Sequence, residues 1–193
     1  MPRDWVTLLI IPLALAGVGY VYTSYETRRT QAVERSRAQE ERIRTFLDEM
    51  DKLLIERHLR DSLPDADERK MARTRILTVL LNMDIGRKRR PLKAIYELHL
   101  VDRNNPIVSL SQADLDDAEL SEAILPGIDL QGVYARRANL RNANLSSAAL
   151  RSAYLTDADL SGANLRGADI TQEQLNQVKS LEGAVLPDGS MHP

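Results

Sequence analysis

From Ser109 to Ile170 a leucine or close substitute returns at every fifth residue, and this period constrains the fold more than any other feature of the chain. Leu110, Leu115, Leu120, Leu125 and Leu130 set it, and after one lapse Leu140, Leu145, Leu150, Leu155, Leu160, Leu165 and Ile170 resume it. Alanine stands two residues before most of them, from Ala113 to Ala168. On an α-helix a five-residue step rotates roughly 140° once the full turn is removed, which scatters the leucines around the cylinder. On a flat strand an odd step reverses the face each time. Short extended pieces joined by right-angled corners, in contrast, aim every leucine at one axis. The path is a square coil of four repeats, about 20 residues per turn, with turns stacked at about 4.8 Å. Leucine then fills the bore, alanine fits where the wall nears the axis, and the polar residue between them faces outward, with Asn and Asp bonding the backbone of the bend.

Two stretches, Ala138-Asn-Leu-Arg-Asn-Ala143-Asn-Leu-Ser-Ser and Ala158-Asp-Leu-Ser-Gly-Ala163-Asn-Leu-Arg-Gly-Ala168-Asp-Ile, resemble the pentapeptide-repeat family. The resemblance covers about 60 of 193 residues and implies a right-handed quadrilateral β-helix. It also implies a bacterial source and a helical region ahead of the repeats, with an Asp-x-x-Arg-Lys element at Asp84, Arg87 and Lys88. Val133-Tyr-Ala135 departs from the pattern, with alanine in the central place. Ile124, Pro126 and Ile128 predict a distorted first coil or corner.

The expected fold class is α+β: a single N-terminal transmembrane helix, a small helical region, the solenoid and a C-terminal cap. The boundaries read as 1–25 for the anchor, 26–42 for a charged helical stalk, 43–108 for the helical region capping the solenoid, 109–170 for the β-helix and 171–193 for the cap and tail. Trp5 to Tyr25 holds 21 residues without a charge, enough at 1.5 Å each to cross a hydrocarbon core of about 30 Å. Trp5 at one end and Tyr20, Tyr22 and Tyr25 at the other form an aromatic belt. Two other readings stay open: a signal peptide cleaved at Ala14-Leu-Ala16, and a buried soluble helix. Arg28, Arg29, Arg35 and Arg37 follow the span, against Arg3 before it. The positive-inside rule places the bulk of the chain on the cytoplasmic side of a single-pass bacterial cell membrane protein.

Beyond the stalk, Ile43, Phe46, Leu47, Met50, Leu53 and Leu54 have the spacing of an amphipathic helix. They pack on neighbouring helices or, in the weaker alternative, form a self-associating seam, so a homo-oligomer stays open. Ser62-Leu-Pro-Asp-Ala-Asp breaks this helix, the next runs to about Met83 and stops near Gly86, and Pro91 begins a third over Leu92 to Leu100. Thr171 to Val178 predicts a short helix over the open end, and His192 and Pro193 are expected to fray.

No catalytic, cofactor-binding or metal site is expected, and no cofactor. The absence of cysteine excludes disulfides and thiolate chemistry. His58, His99 and His192 are scattered, and no phosphate loop or nucleophile elbow occurs. Asp116-Asp117 reads as a solvated corner rather than part of a metal site. The region 26–108 carries 19 basic and 15 acidic residues against 5 and 9 in 109–170, so the two surfaces attract each other or are separately solvated. The basic run Arg87, Lys88, Arg89 and Arg90 has three readings: contacts to anionic lipid, a grip on nucleic acid, or a helix C-terminal cluster in a solvated loop. It also lies close in the chain to six acids between Asp114 and Asp129, onto which it could fold.

Tyr134 and Tyr154 face outward one full coil apart, a candidate partner contact or an aromatic ladder between turns. Leu115, Leu120, Leu130, Leu140, Leu145, Leu150, Leu155, Leu160, Leu165 and Ile170 form the structural core. The functional expectation is a non-catalytic, membrane-anchored scaffold that contacts lipid through its N-terminal helix and an unidentified protein through its coil. The alternative, carried by the family resemblance, is a DNA-mimicking inhibitor or protector of type II topoisomerase. About three coils give a height near 15 Å, too short for a DNA-like rod, and Arg136, Arg137, Arg141 and Arg151 break its acidity. Nucleic acid is not an expected partner.

Overall fold

The computed structural model describes the backbone of residues 4–193 and the side chains from residue 16 onward, residue 19 excepted. The chain divides into two compact units, Met1–Glu41 and Arg42–Pro193. The described residues of the first lie in helix α1 (Asp4–Ile55), whose last turns open the second. Val18, Tyr20, Val21, Tyr22 and Tyr25 are all exposed. Among the described residues no helix is long and apolar enough to cross a membrane. The stretch expected to do so, Trp5–Tyr25, has its side chains before residue 16 outside the described set.

In the second unit the end of α1 buries Ile43, Phe46, Met50 and Leu53, the 3-4-3 rhythm of one helix face. After a 3-10 turn at Leu59–Asp61, α2 (Asp67–Asn82) buries Ala72, Ile76, Val79 and Leu80. Helix α3 (Arg89–Glu97) buries Pro91, Leu92 and Ile95. It starts before the proline expected to open it, because first-turn amides have no intrahelical acceptor to lose. It ends where His99 turns left-handed at φ 54°. These side chains and the repeat leucines belong to one continuous apolar core.

The coil closes every 20 residues. Parallel bridges join Asp114, Tyr134 and Tyr154 on one wall, Glu119, Asn139 and Asp159 on the second, Ile124, Asn144 and Asn164 on the third, and Asp129, Ala149 and Asp169 on the fourth. Each wall is a stack of single-residue bridges rather than of strands, because a corner every five residues leaves no room for a longer ladder. The corners recur as positive φ at twelve successive fifth positions from Gln112 to Gly167, only four of them glycine. Every repeat leucine from Leu110 to Leu165 is buried, while Ile170 is half-buried.

The outward Asx residue stabilises the bend after it. Asp114, Asp129, Asn139, Asn144, Asp159 and Asn164 each accept the amide two residues on through a side-chain oxygen, at 3.0–3.2 Å. This explains why the first coil keeps its register despite the irregularities that predict distortion. Ile124 offers no side-chain acceptor, and Pro126, two residues later, has no amide that needs one. Ile128 occupies an alanine place and is fully buried.

Helix α4 (Gln172–Leu175) begins in a capping box, with Thr171 and Gln174 bonding each other's backbone amides. The coil then resumes one residue out of step, pairing Asp159 with Ser180 and Asn164 with Val185. The tail does not fray as expected. It folds back so that Val185 pairs antiparallel with Met191, His192 N donates to Ala184 O at 2.8 Å, and Gly183 N donates to His192 O.

Candidate functional site

Two surfaces of the second unit gather the residues that the sequence singles out. The first is the upper edge of the solenoid. Inside the coil, corner amides donate to the turn below, as Asp117 N does to Arg136 O, Glu122 N to Arg141 O and Gly127 N to Ser146 O. The corresponding carbonyls of the first turn have no turn above them. Each corner is met instead by one side chain of the helical region. Arg73 Nη2 donates to Ser111 O at 2.7 Å, Lys88 Nζ to Asp114 O at 2.8 Å and Asp116 O at 3.5 Å, Arg89 to Ser121 O and Glu122 O, and Tyr96 Oη to Pro126 O at 2.9 Å.

The basic run is therefore divided in its use. Lys88 is buried with its ammonium 3.1 Å from the Asp114 carboxylate, so it is withdrawn from any lipid surface. Arg89 is held on two carbonyls, Arg87 is half-buried and Arg90 is exposed. The reading as a helix C-terminal cluster is corrected as well. Arg89 and Arg90 lie in the first turn of α3, where the helix dipole disfavours cations, and the solenoid carbonyls supply the compensating attraction. The fold of this run onto the acidic strip is seen at Lys88 and Asp114. Sequence reasoning missed Arg73 and Tyr96, since nothing in their own neighbourhood marks a residue that serves a carbonyl 30 or more positions away.

The second surface is the first wall and the corner beside it. Tyr134 and Tyr154 stack with ring centroids 5.0 Å apart and a tilt of 31°, and Tyr154 is 53% exposed. Both the ladder and an accessible face are thus present at one place. The Arg136 guanidinium lies 5.8 Å from the Tyr134 ring centre. Tyr134 offers no acceptor to the following corner, and Asp116 supplies it from the turn above. Asp116 Oδ1 accepts Arg136 N at 2.8 Å, while Oδ2 accepts Nε and Nη2 at 2.9 and 2.5 Å. Asp117 takes Arg137 fork to fork, with Oδ1 accepting Nε at 2.7 Å and Oδ2 accepting Nη2 at 2.6 Å.

Burial pulls the Asp116 carboxyl upward, but the hydrogen bonds and charge of Arg136 outweigh it and hold the group below the usual carboxylate range. Asp117 is held down chiefly by its hydrogen bond from Arg137. The paired acids are thus half of a cross-turn ion ladder, and Arg141–Asp159 and Arg151–Asp169 extend the same device elsewhere on the coil. Among the described residues no group of histidines and carboxylates is arranged to hold a metal ion. His99 pairs with Asp102 at 3.0 Å.

A four-walled coil of five-residue repeats, finished at its upper edge by side chains of a helical cap, is the build of a β-solenoid repeat protein. The chain belongs to the pentapeptide-repeat family, with eight copies of the repeat recognised over residues 108–132 and 136–172. Solved structures similar to it include a pentapeptide repeat protein from Nostoc Pcc 7120. The two are 32% identical over 49% of this chain and 72% of that one, with a TM-score of 0.20. A comparison with curated proteins returns no match. No enzyme family is indicated by these likenesses.

Proposed function

We propose that this protein is a non-catalytic scaffold, tethered to a membrane by its N-terminal helix, that holds a protein partner on the tyrosine wall of its solenoid. The observation that carries the reading is the Tyr134–Tyr154 stack. It is a large aromatic surface, half-exposed, on a backbone whose every turn is bonded to the next. Tyrosine gives wide contact area at low entropic cost, and a rigid wall adds little ordering penalty on binding. The charge-free run Trp5–Tyr25 supports the tether, and the arginines after it support a cytoplasmic body.

The test is affinity capture of the full chain from detergent-solubilised membranes, set beside a Y134S/Y154S variant. Loss of one or more partners from the variant, with its melting temperature lowered by only a few degrees, is the expected result. Retention of every partner would remove the wall from the proposal. Inhibition of DNA supercoiling by the purified chain would replace the scaffold reading with topoisomerase mimicry.

A further inference from the structure

The arginines past the end of the charge-free run sit on α1 in a particular way. Val18, Val21, Tyr22, Tyr25, Arg28 and Arg29 follow one another at steps of three, one, three, three and one. They therefore share one face of the helix. The four apolar members are 64–68% exposed, and both arginines are exposed. The opposite face carries Tyr20, 75% exposed, and turns polar beyond it. Thr27 and Thr30 close their hydroxyls on the carbonyls of Thr23 and Glu26 at 2.8 and 2.9 Å, and Glu34 follows them. Among the described residues, neither Arg28 nor Arg29 has a carboxylate partner.

We infer that this face is an anionic-phospholipid site, with the headgroup phosphate held between Arg28 and Arg29 and the acyl region against Tyr22, Tyr25, Val18 and Val21. The inference rests on the membrane-tether reading and adds to it the class of lipid. Tyrosines settle at the headgroup level, where ring and hydroxyl each find their own medium. One turn further on, a guanidinium reaches the phosphate plane, and its planar fork matches phosphate oxygens in two-pronged fashion. Charge complementarity selects the occupant. Two cations without protein counter-ions, next to exposed aromatic surface, favour phosphatidylglycerol or a lipid of like charge over phosphatidylcholine. Each arginine near an anionic surface is worth about 5-fold in partition, and the two together about 30-fold. With Lys88 and Arg89 committed to the solenoid, lipid recognition falls to this helix rather than to the run at 87–90.

The experiment reconstitutes the full chain into vesicles of phosphatidylcholine alone and of phosphatidylcholine with phosphatidylglycerol. It measures retention after alkaline extraction and, by native mass spectrometry, the phosphatidylglycerol carried by each protein. Enrichment of the anionic lipid that R28Q and R29Q each reduce about 5-fold, and that R37Q on another face leaves unchanged, is the expected result. Equal retention in both vesicles with no enrichment would overturn the headgroup site and leave the tether standing. Salt-sensitive binding to the anionic vesicles alone, stripped by alkali, would support the site and remove the membrane-crossing tether. Failure to associate with either vesicle would overturn both.

Discussion

A single buried ammonium shows how much of this fold depends on individual hydrogen-bonding partners. Lys88 touches two carbonyls and a carboxylate at the top of the coil with its side chain 5% exposed. Lys88→Met keeps the length of the side chain and removes the charge, leaving those oxygens unanswered. The expected loss is about 3 kcal/mol in urea unfolding, whereas Lys93→Ala, whose pair with Glu97 is 61% exposed on both sides, should cost under about 0.5 kcal/mol. Asp116 gives the pH signature. Its folded pKa is depressed, so its contribution to stability is complete above the unfolded carboxylate value and fades as pH falls through and below it. Asp116→Asn should accordingly be less stable at neutral pH and show a shallower stability decline than the parent below about pH 4. Thermal melts across that range decide it. Of these roles, the sequence offers only the fold of the basic run onto the acids from Asp114 onward, seen at Lys88. The pairs of Asp116 and Asp117 join residues 20 apart, and only the 20-residue coil, once derived, aligns them with Arg136 and Arg137.

At the scale of the elements, the five-residue repeat was the most readable part of the chain, because its period is incompatible with both common secondary structures. Sequence also located the helices, yet it placed the start of α3 too late. Proline is a good sign of a helix beginning but not of which first-turn position it takes. The corner geometry was beyond reach: eight of the twelve left-handed corners carry residues other than glycine, such as Arg137 and Ser152. Gly127 tests what such a corner costs, since a Cβ there meets nothing within 4 Å and only its φ of 69° is at issue. Gly127→Ala should lower stability by about 1 kcal/mol in chemical denaturation. Leu145→Ala, at a position with no exposure, should lower it by about 3 kcal/mol through lost burial and the cavity left in the bore.

Over the whole of the repeat unit, stability is a sum of turn-on-turn contacts, as in other solenoids, and weakness gathers where a turn lacks a neighbour. Leu140, Leu145 and Leu150 each donate an amide to the turn below, at 2.9 Å. Helix α4 replaces that turn beneath Leu155, and the Gln174 side chain occupies the carbonyls of Leu150 and Ala153 in its place. Hydrogen exchange should therefore find the amide of Leu155 at least tenfold less protected than that of Leu145. Equal protection would mean that the lower end is held by something other than the backbone ladder. The candidate surface is less legible than the fold, because an outward-facing residue takes no part in the five-residue apolar period. Tyr134 and Tyr154 stand out as aromatics one full coil apart in a chain that is 4% aromatic.

The four first-turn corners answered by Arg73, Lys88, Arg89 and Tyr96 bear on how such a molecule can change over generations. Those four side chains meet only the first storey, the floor below meets only the last, and Arg103 reaches down one corner to the carbonyls of Ser147 and Gly167. A duplicated block of 20 residues slipped in between would lengthen the column by about 5 Å while leaving those four corner contacts intact and changing only the carbonyls that Arg103 meets. Height is thus nearly a free variable for this architecture, and a lineage could lengthen its outer walls by resetting little more than the Arg103 contacts.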